Sequence, residues 1–505
     1  MQKRWWVLIA AAFLGLAWAR GDTLVIAQGV DATTLDPVNH QETPTGNVTA
    51  NIFDNFYRRL PDGSFEPWLG EAKALDNLTW ELKIKPGIKF HNGEELTAEV
   101  LKFNFDRLLD PKKPLKYSTY FKPIKKVEVT GKYTLKVYTE KPFPLFLTRL
   151  TYLWVVPKRY IEEKGADYFA NHPVGTGPYK FVRWVKDQEI VLEANEAYWA
   201  GKPKVKRVVF RPIPEASSRV AELMTGGVDI ITNLSPEAVP TVEGSGVAEV
   251  RSVPSIRNIF IVLNVKGEGP LNDPKVRLAL NYAVDKEAIV QHVLGGFGVP
   301  VGCPLNPYMF GYDEALCKPF PYDPEKAKKL LAEAGYPNGF TFSMSAPSGR
   351  YLNDRQVAEA VVGQLKKIGV KVDLRIKEWS TYVKQILNRK LDTDAWLIGW
   401  GNAQFDADNT LFTLLYGGTV EGGPPQSKFS YWKDPEFDRY VLEAQQIVDQ
   451  EKRKELYKKA LERVRQGAPW IFLHQQKDIY GVAKRVKWQP RPDELLWAFD
   501  MELVK

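Results

Sequence analysis

"NDRQVAEAVVGQLKKIGVKVDLRIKEWSTYVKQILNRKLDTDAWLIGW", residues 353–400, reads as two helix–turn–strand units in succession. The first has a helical apolar period, a stop at Gly369, and then the alternation Val370, Val372, Leu374, Ile376 of a strand. The second repeats the plan and ends on the strand-like "DAWLIGW". A helix and a strand that alternate along the chain must cover one another's apolar faces, which predicts an α/β layered domain. Just upstream, "DPEKAKKLLAEAGYPNGF" supplies Asp323 as N-cap, Pro324 at the first helical position and Gly335 as terminator.

The same mixed character extends outward. "TLVIAQGV" (23–30) is a buried strand, and "PTGNVTANIFDNFYRRL" puts Val48, Ile52 and Phe56 on one helical face. "LTWELKIKPGIKF" alternates Trp80, Leu82 and Ile84, Thr97 can cap the helix "AEVLKFNFDRLL", and "KVEVTGKYTLKVYT" is a hairpin. "RNIFIVLNV" (257–265) is a long β-rich run, followed by the helical "DPKVRLALNYAVDKEAIVQHVLGG". Residues 435–466 are helical, and "PWIFLHQQKDIYGV" returns to strand. Both "TLVIAQ" and "LLWAFDMELV" read as strand, so one domain is expected to contain both ends. No Pro/Gly/Ser linker divides the chain, which predicts domains joined by strands that cross between them.

The length of 505 residues suggests about three domains. "MQKRWWVLIAAAFLGLAWA" (1–19) has a basic start, an apolar stretch and an A-x-A end, the layout of a secretory signal peptide with no cysteine near the cut. The expectation is an exported, periplasmic protein without a lipid anchor. Its net charge is +8, of which Lys3 and Arg4 supply two, with acids and bases interspersed; this argues against nucleic acid as a partner. The two cysteines, Cys303 and Cys317, flank a Pro/Gly-rich loop, which in an exported chain reads as a disulfide rather than a metal site, with two free thiols as the alternative. No two of the five histidines stand at ligand spacing, so neither a metal centre nor a cofactor is expected.

There is no P-loop, G-x-S-x-G, H-E-x-x-H or paired C-x-x-C, and no enzyme is expected. "GWGNAQFDADNTLFTLLYGG" (399–418) is of a different kind: a Gly-Trp-Gly turn, then Asp406 and Asp408 before an apolar run. The flanking glycines would leave the Trp400 ring uncovered and let backbone approach a guest, which points to a ligand cleft.

Several segments together resemble one family, the extracytoplasmic solute-binding proteins of ABC importers in the peptide/nickel-binding group, family 5. They are "LTWELKIKPGIKFHNGEELTAEVLKFNFDRL", "HPVGTGPYKF", "EANEAYWAGKPKVKRVVFRPIPEASSRVAELMTGGVDI" and "YDPEKAKKLLAEAGYPNGF", in the family's order from about residue 23 to 500. The pattern is most similar to oligopeptide- and glutathione-type members. The resemblance implies two lobes closing over a ligand. Lobe I would comprise 20–52, 181–262 and 483–505, its extra domain 53–180, and lobe II 263–482. Hinge closure would then present a shape that a membrane permease reads.

Carried over residue by residue, the resemblance makes Arg350 the grip on a ligand carboxylate. Gln41, Glu42 and Thr43, with the turn Gly399, Trp400, Gly401 and Asn402, would contact peptide backbone, and Trp379 and Trp400 would line the cavity. Where amine-binding members have an Asp, this chain has Ala403. Glu42, Asp406 or Asp408 could replace that charge, although Asp406 and Asp408 could equally cap the following helix. The implied protein is a monomeric receptor delivering a peptide-like solute to an ABC permease. The alternatives are an oligosaccharide receptor of the same family, a nickel-chelate receptor without a supporting histidine near Arg350 or Trp400, and an exported peptide hydrolase.

Overall fold

The computed structural model describes residues 20–427, 429 and 431–504; the signal-peptide expectation for 1–19 lies outside them. One mixed sheet of eleven strands runs through the molecule. From one edge its order is Lys371–Lys377, Thr341–Pro347, Ala395–Gly401, Ala248–Leu263, Trp470–Ala483, Ile230–Ile231, Thr23–Gln28, Arg207–Pro212, Glu189–Ala194 and Tyr179–Val185, with Gly298–Pro300 pairing off this path. The helix–strand alternation around residues 353–400 gives parallel pairing of Thr341–Pro347 with Lys371–Lys377, and helix Asp354–Lys366 covers them.

Two long strands, Ala248–Leu263 and Trp470–Ala483, run side by side through the middle of the sheet. Residues 248–254 of one pair with 477–483 of the other, and residues 258–262 pair with 470–475. The ladder is irregular between Pro254 and Asn258, where the two stretches meet. On one side of that break Trp470–Ala483 adds Ile230–Ile231; on the other Ala248–Leu263 adds Ala395–Gly401. Proline lacks a ladder donor, so Pro254 is a natural place for the pairing to slip. Such an irregularity bends the paired strands locally and increases their twist.

Among the described residues three buried cores form around this frame. The largest spans both long strands and residues 271–473; another lies between 38 and 155; the third joins Leu24, Ile26, Val208 and Phe210 to Leu496, Ala498 and Met501. The 38–155 core is built on the antiparallel sheet Gly70–Ala74, Thr79–Ile84, Thr134–Thr139 and Ile124–Gly131, which contains the expected hairpin. Cys303 and Cys317 are joined as a disulfide, Sγ–Sγ 2.04 Å, and no described cysteine is free.

Asp323 accepts from the Lys326 N–H with Pro324 behind it, as its sequence predicts. Other local expectations are corrected. The helix Thr43–Ile52 ends before Phe56, because Phe53 is extended and the Ile52 carbonyl accepts from Gly177 N–H; Phe56 belongs to another core. Thr97 stands at the cap position of Ala98–Leu109 without a side-chain cap bond. The helical run from 274 breaks at Val284, where Asp285 caps a second segment through Ala288 N–H. "LLWAFDMELV" is strand only at Glu502–Leu503. Its backbone is satisfied by a helix instead: Leu496 and Ala498 N–H donate to the side-chain oxygens of Asn47 and Asn51, and Asn51 donates back to Leu496 O. The two ends therefore share a core but not a sheet.

Candidate ligand-binding site

Where the three cores converge, the chain leaves a cavity of about 220 Å³. Its walls come from the 40–55 segment, the tyrosines 117, 120 and 152, the 350–351 loop, one face of helix Trp379–Leu387, the end of strand Ala395–Gly401, and 491–497. Aromatic rings and a few charged groups line it together, the usual composition of a small-ligand site.

Arg350 sits on the loop that follows strand Thr341–Pro347. Asp354 fixes this loop: its carboxylate accepts the N–H groups of Gly349, Arg350 and Tyr351 at 2.9–3.1 Å, and burial still raises its pKa to about 6. The Arg350 side chain, 6% exposed, stacks on Tyr351 and Trp379 with its guanidinium 4.7 and 5.3 Å from the ring centres. No described residue accepts from that guanidinium, and its Nε is buried without a partner. Burial and then the neighbouring Arg257 push its pKa down, the signature of a cation short of anions.

Arg257, on the long strand Ala248–Leu263, has the opposite circumstances. Its Nε and Nη2 donate to the two Glu494 carboxylate oxygens at 2.5 and 2.7 Å, Nη2 also reaches Thr43 Oγ1 at 2.7 Å, and Nη1 reaches Gly399 O at 3.1 Å. Burial opposes its charge, but Glu494 outweighs burial and raises its pKa. Thr43 thus faces the cavity while held by an arginine.

The Gly-Trp-Gly segment is the end of a strand rather than a turn: Gly401, Trp400 and Gly399 pair with Arg257, Asn258 and Ile259. The glycines have a different purpose from the one expected. A Cβ on Gly399 would lie 2.8 Å from the Tyr351 ring, and one on Gly401 would lie 2.9 Å from Arg257 Nη2. They make room for the cavity wall itself. Trp400 is half-buried, donates from Nε1 to Asn409 Oδ1 at 3.2 Å, and meets Phe429 edge-on at 5.7 Å. Trp379 is the first residue of its helix, capped by Glu378, and its Nε1 is buried without a partner.

The structure brings Gln41, Glu42, Thr43, Arg350, Trp379, Gly399, Trp400 and Gly401 to one cavity, with Ala403 among them. Asn402 and Asp406 are not in its wall. Asn402 donates inward to Asp406 O and Thr410 Oγ1. Asp406 caps the helix Ala407–Thr410 through Asp408 N–H and pairs with Arg453 Nη2 at 2.6 Å. Asp408 is fully buried and held by Arg149 and by Gln445 Nε2. Both aspartates are therefore committed to the protein, and neither replaces the charge missing at Ala403. Glu42 lines the cavity, but its carboxylate already accepts from Thr33, Thr45 and Gln41 N–H.

Several wall residues carried no sequence signal. Arg59, Tyr117, Tyr120, Tyr152, Trp68, Trp497 and Arg257 come from separate segments, and nothing in their local spacing distinguishes them from core residues. Among the described residues no group of three His, Cys, Asp or Glu side chains is placed to hold a metal ion.

With this geometry in view, comparison with known proteins is informative. The profile of bacterial extracellular solute-binding proteins, family 5 (middle), matches residues 64–460. The glutathione-binding protein GsiB of Pectobacterium atrosepticum is 31% identical over 517 residues, covering 100% of this chain and 99% of that one. The periplasmic binding protein DppA of Helicobacter pylori, solved with the peptide STSA, superposes with a TM-score of 0.87 at 28% identity, covering 96% of this chain and 98% of that one. The oligopeptide-binding protein AppA of Bacillus subtilis, solved with a nonapeptide, gives 0.87 at 26% identity, covering 96% and 99%.

Proposed function

The chain belongs to the bacterial extracellular solute-binding proteins of family 5, and from that premise we propose that it is the periplasmic receptor of an ABC importer for a peptide-type solute. The observation that carries this reading is Arg350, a buried arginine on the cavity wall whose guanidinium makes no ion pair or hydrogen bond with a described carboxylate. An isolated buried charge is costly unless an anion meets it, and a planar fork of donors suits a carboxylate. The names of the relatives support the same ligand class: one is a glutathione-binding protein and two were solved with peptides. A neutral sugar would leave the Arg350 charge unanswered.

Delivery follows from closure. We assign 20–52, 181–262 and 483–505 to one lobe, 53–180 to its extra domain and 263–482 to the other lobe. In support, polar side-chain links cross these boundaries beside the long strand pairs: Arg149 with Asp408 and Gln404, Asn233 Nδ2 with Arg350 O at 3.0 Å, and Arg257 Nη1 with Gly399 O at 3.1 Å. Links of this type form and break more readily than a packed core, as hinge closure requires. The closed shape would be what the permease reads, and the solute leaves unaltered.

Calorimetry with glutathione and a panel of di- and tripeptides tests this. Arg350→Ala should weaken binding of whichever peptide binds by ~1.5–3 kcal/mol, about tenfold to more than a hundredfold. An unchanged affinity removes Arg350 from the site, and mass analysis of the recovered ligand checks that it is intact.

A further inference from the structure

Five arginines line the cavity: Arg58, Arg59, Arg257, Arg350 and Arg491. Three already have a carboxylate. Arg58 reaches Glu66 at 3.5 Å and stacks on Trp68 and Trp497; Arg257 holds Glu494; Arg491 holds both Asp493 oxygens at 2.9 and 2.6 Å. Arg59 resembles Arg350 instead. Its Nη1 donates to Gly63 O at 2.6 Å and its guanidinium lies over Phe65 and Phe405, but Nε and Nη2 are buried without an acceptor and no described carboxylate pairs with it.

The two unpaired arginines are in separate regions. The ionisable groups near Arg59 are Tyr152, Asp493 and Asp406, whereas those near Arg350 are Arg257, Tyr351, Glu494 and Asp478. They stack on different rings, brought from different parts of the chain.

The carboxylates of the wall complete the picture. Glu42 is consumed by two hydroxyls and a backbone N–H. Asp54 accepts from Trp68, Trp199, Tyr198 and Thr176, and Asp493 belongs to Arg491. Among the described residues the cavity therefore offers two cations in want of anions and no carboxylate in want of a cation.

We infer that the solute carries two anionic groups, one bound by Arg350 and the other by Arg59, and that any amino group it has meets no carboxylate of this chain. This rests on the peptide-type reading above. The chemical class is a diacid peptide, with a second carboxylate in a side chain or a γ-linked residue.

Three matched probes separate these features by calorimetry: glutathione, glutaryl-Cys-Gly, which lacks the amino group, and 4-aminobutyryl-Cys-Gly, which lacks the second carboxylate. The glutaryl compound should bind within about threefold of glutathione, and the 4-aminobutyryl compound about tenfold or more weaker. In Arg59→Met the difference between those two carboxylate states should vanish, and Arg59→Lys should restore part of it. Because the readout is a ratio within one variant, a general loss of stability does not imitate it. Weak binding of the glutaryl compound with full binding of the 4-aminobutyryl compound would overturn the inference, as would a ratio unchanged in Arg59→Met. If the wild-type protein bound none of the three probes nor any peptide of the panel, the peptide-type reading would fall and take this one with it. Equal affinity for all three would overturn the second anion alone.

Discussion

Arg257 and Glu494 are 237 residues apart in sequence, yet they form a buried two-point ion pair, Nε to Oε1 at 2.5 Å and Nη2 to Oε2 at 2.7 Å, directly behind the cavity. The same guanidinium touches Thr43 on one side and Gly399 on the other, so a single side chain ties three segments of the wall. Arg350, its neighbour, has no such partner. The contrast separates an arginine that builds the site from one that awaits something in it.

Breaking the pair from the acid side should be costly. Glu494→Ala leaves Arg257 buried and uncompensated, and removing one member of a buried pair costs about 3–5 kcal/mol. Urea unfolding should show that loss, and replacing both residues, Arg257→Met with Glu494→Leu, should recover much of it. A Glu494→Ala protein as stable as the parent would show that the pair is not maintained in solution.

Arg149, in the extra domain proposed above, forms a buried link to Asp408 and Gln404 of the proposed second lobe and is not part of the cavity wall. Arg149→Ala should therefore weaken ligand binding by about tenfold or more through the closed state alone. X-ray scattering at saturating ligand should show a less compact particle than the parent gives. Unaltered affinity and scattering would mean that the link does not contribute to closure.

Acid should destabilise the fold through two buried histidines. Burial lowers the pKa of His91 to about 4 and of His474 to about 3, and neither His474 ring nitrogen has a partner. Both stay neutral in the folded chain while the unfolded chain takes up protons from near pH 6.5, so between about pH 6.5 and 4 the unfolded state binds more protons. Stability is then full above that window and falls as the pH drops through it, by up to roughly 3 kcal/mol for each group at 1.36 kcal/mol per pKa unit. Denaturation midpoints measured across this range should show the slope, and His474→Leu should remove its share. A flat profile in the parent would contradict it.

Cys303 and Cys317 close a loop with a sequence separation of 14. Chain-entropy arguments assign a loop of this length ~3 kcal/mol of stability. Paired Cys303→Ala and Cys317→Ala should lower the unfolding free energy by about that amount while leaving ligand affinity little changed, since neither residue lines the cavity. A large affinity loss in the double variant would tie the loop to the site.

Much of the architecture was legible locally. The helix–strand alternation of 353–400, the Asp323–Pro324 start and the 124–139 hairpin are written in short-range periodicity and capping chemistry, which act over a turn or two. The failures occurred where tertiary partners replaced local ones. Leu496 and Ala498 have the apolar pattern of a strand, but Asn47 and Asn51 meet their N–H groups. Phe56 continues a helical period on paper, but Gly177 claims the Ile52 carbonyl and the chain turns away.

The sequence by itself carried the α/β layering and the flagging of Trp400, which depend on residue types at fixed short spacings, and its resemblance to the family supplied the nomination of Arg350 and Trp379. Only the tertiary structure decided which charges are available. Asp406 and Asp408 look like binding groups in the primary structure until Arg453 and Arg149 arrive from distant segments, and Arg59 looks like any strand residue until it is left without an acid. Neutralisation is a through-space property falling steeply with distance and dielectric, so a linear pattern can propose a charge but cannot say whether it is already spent.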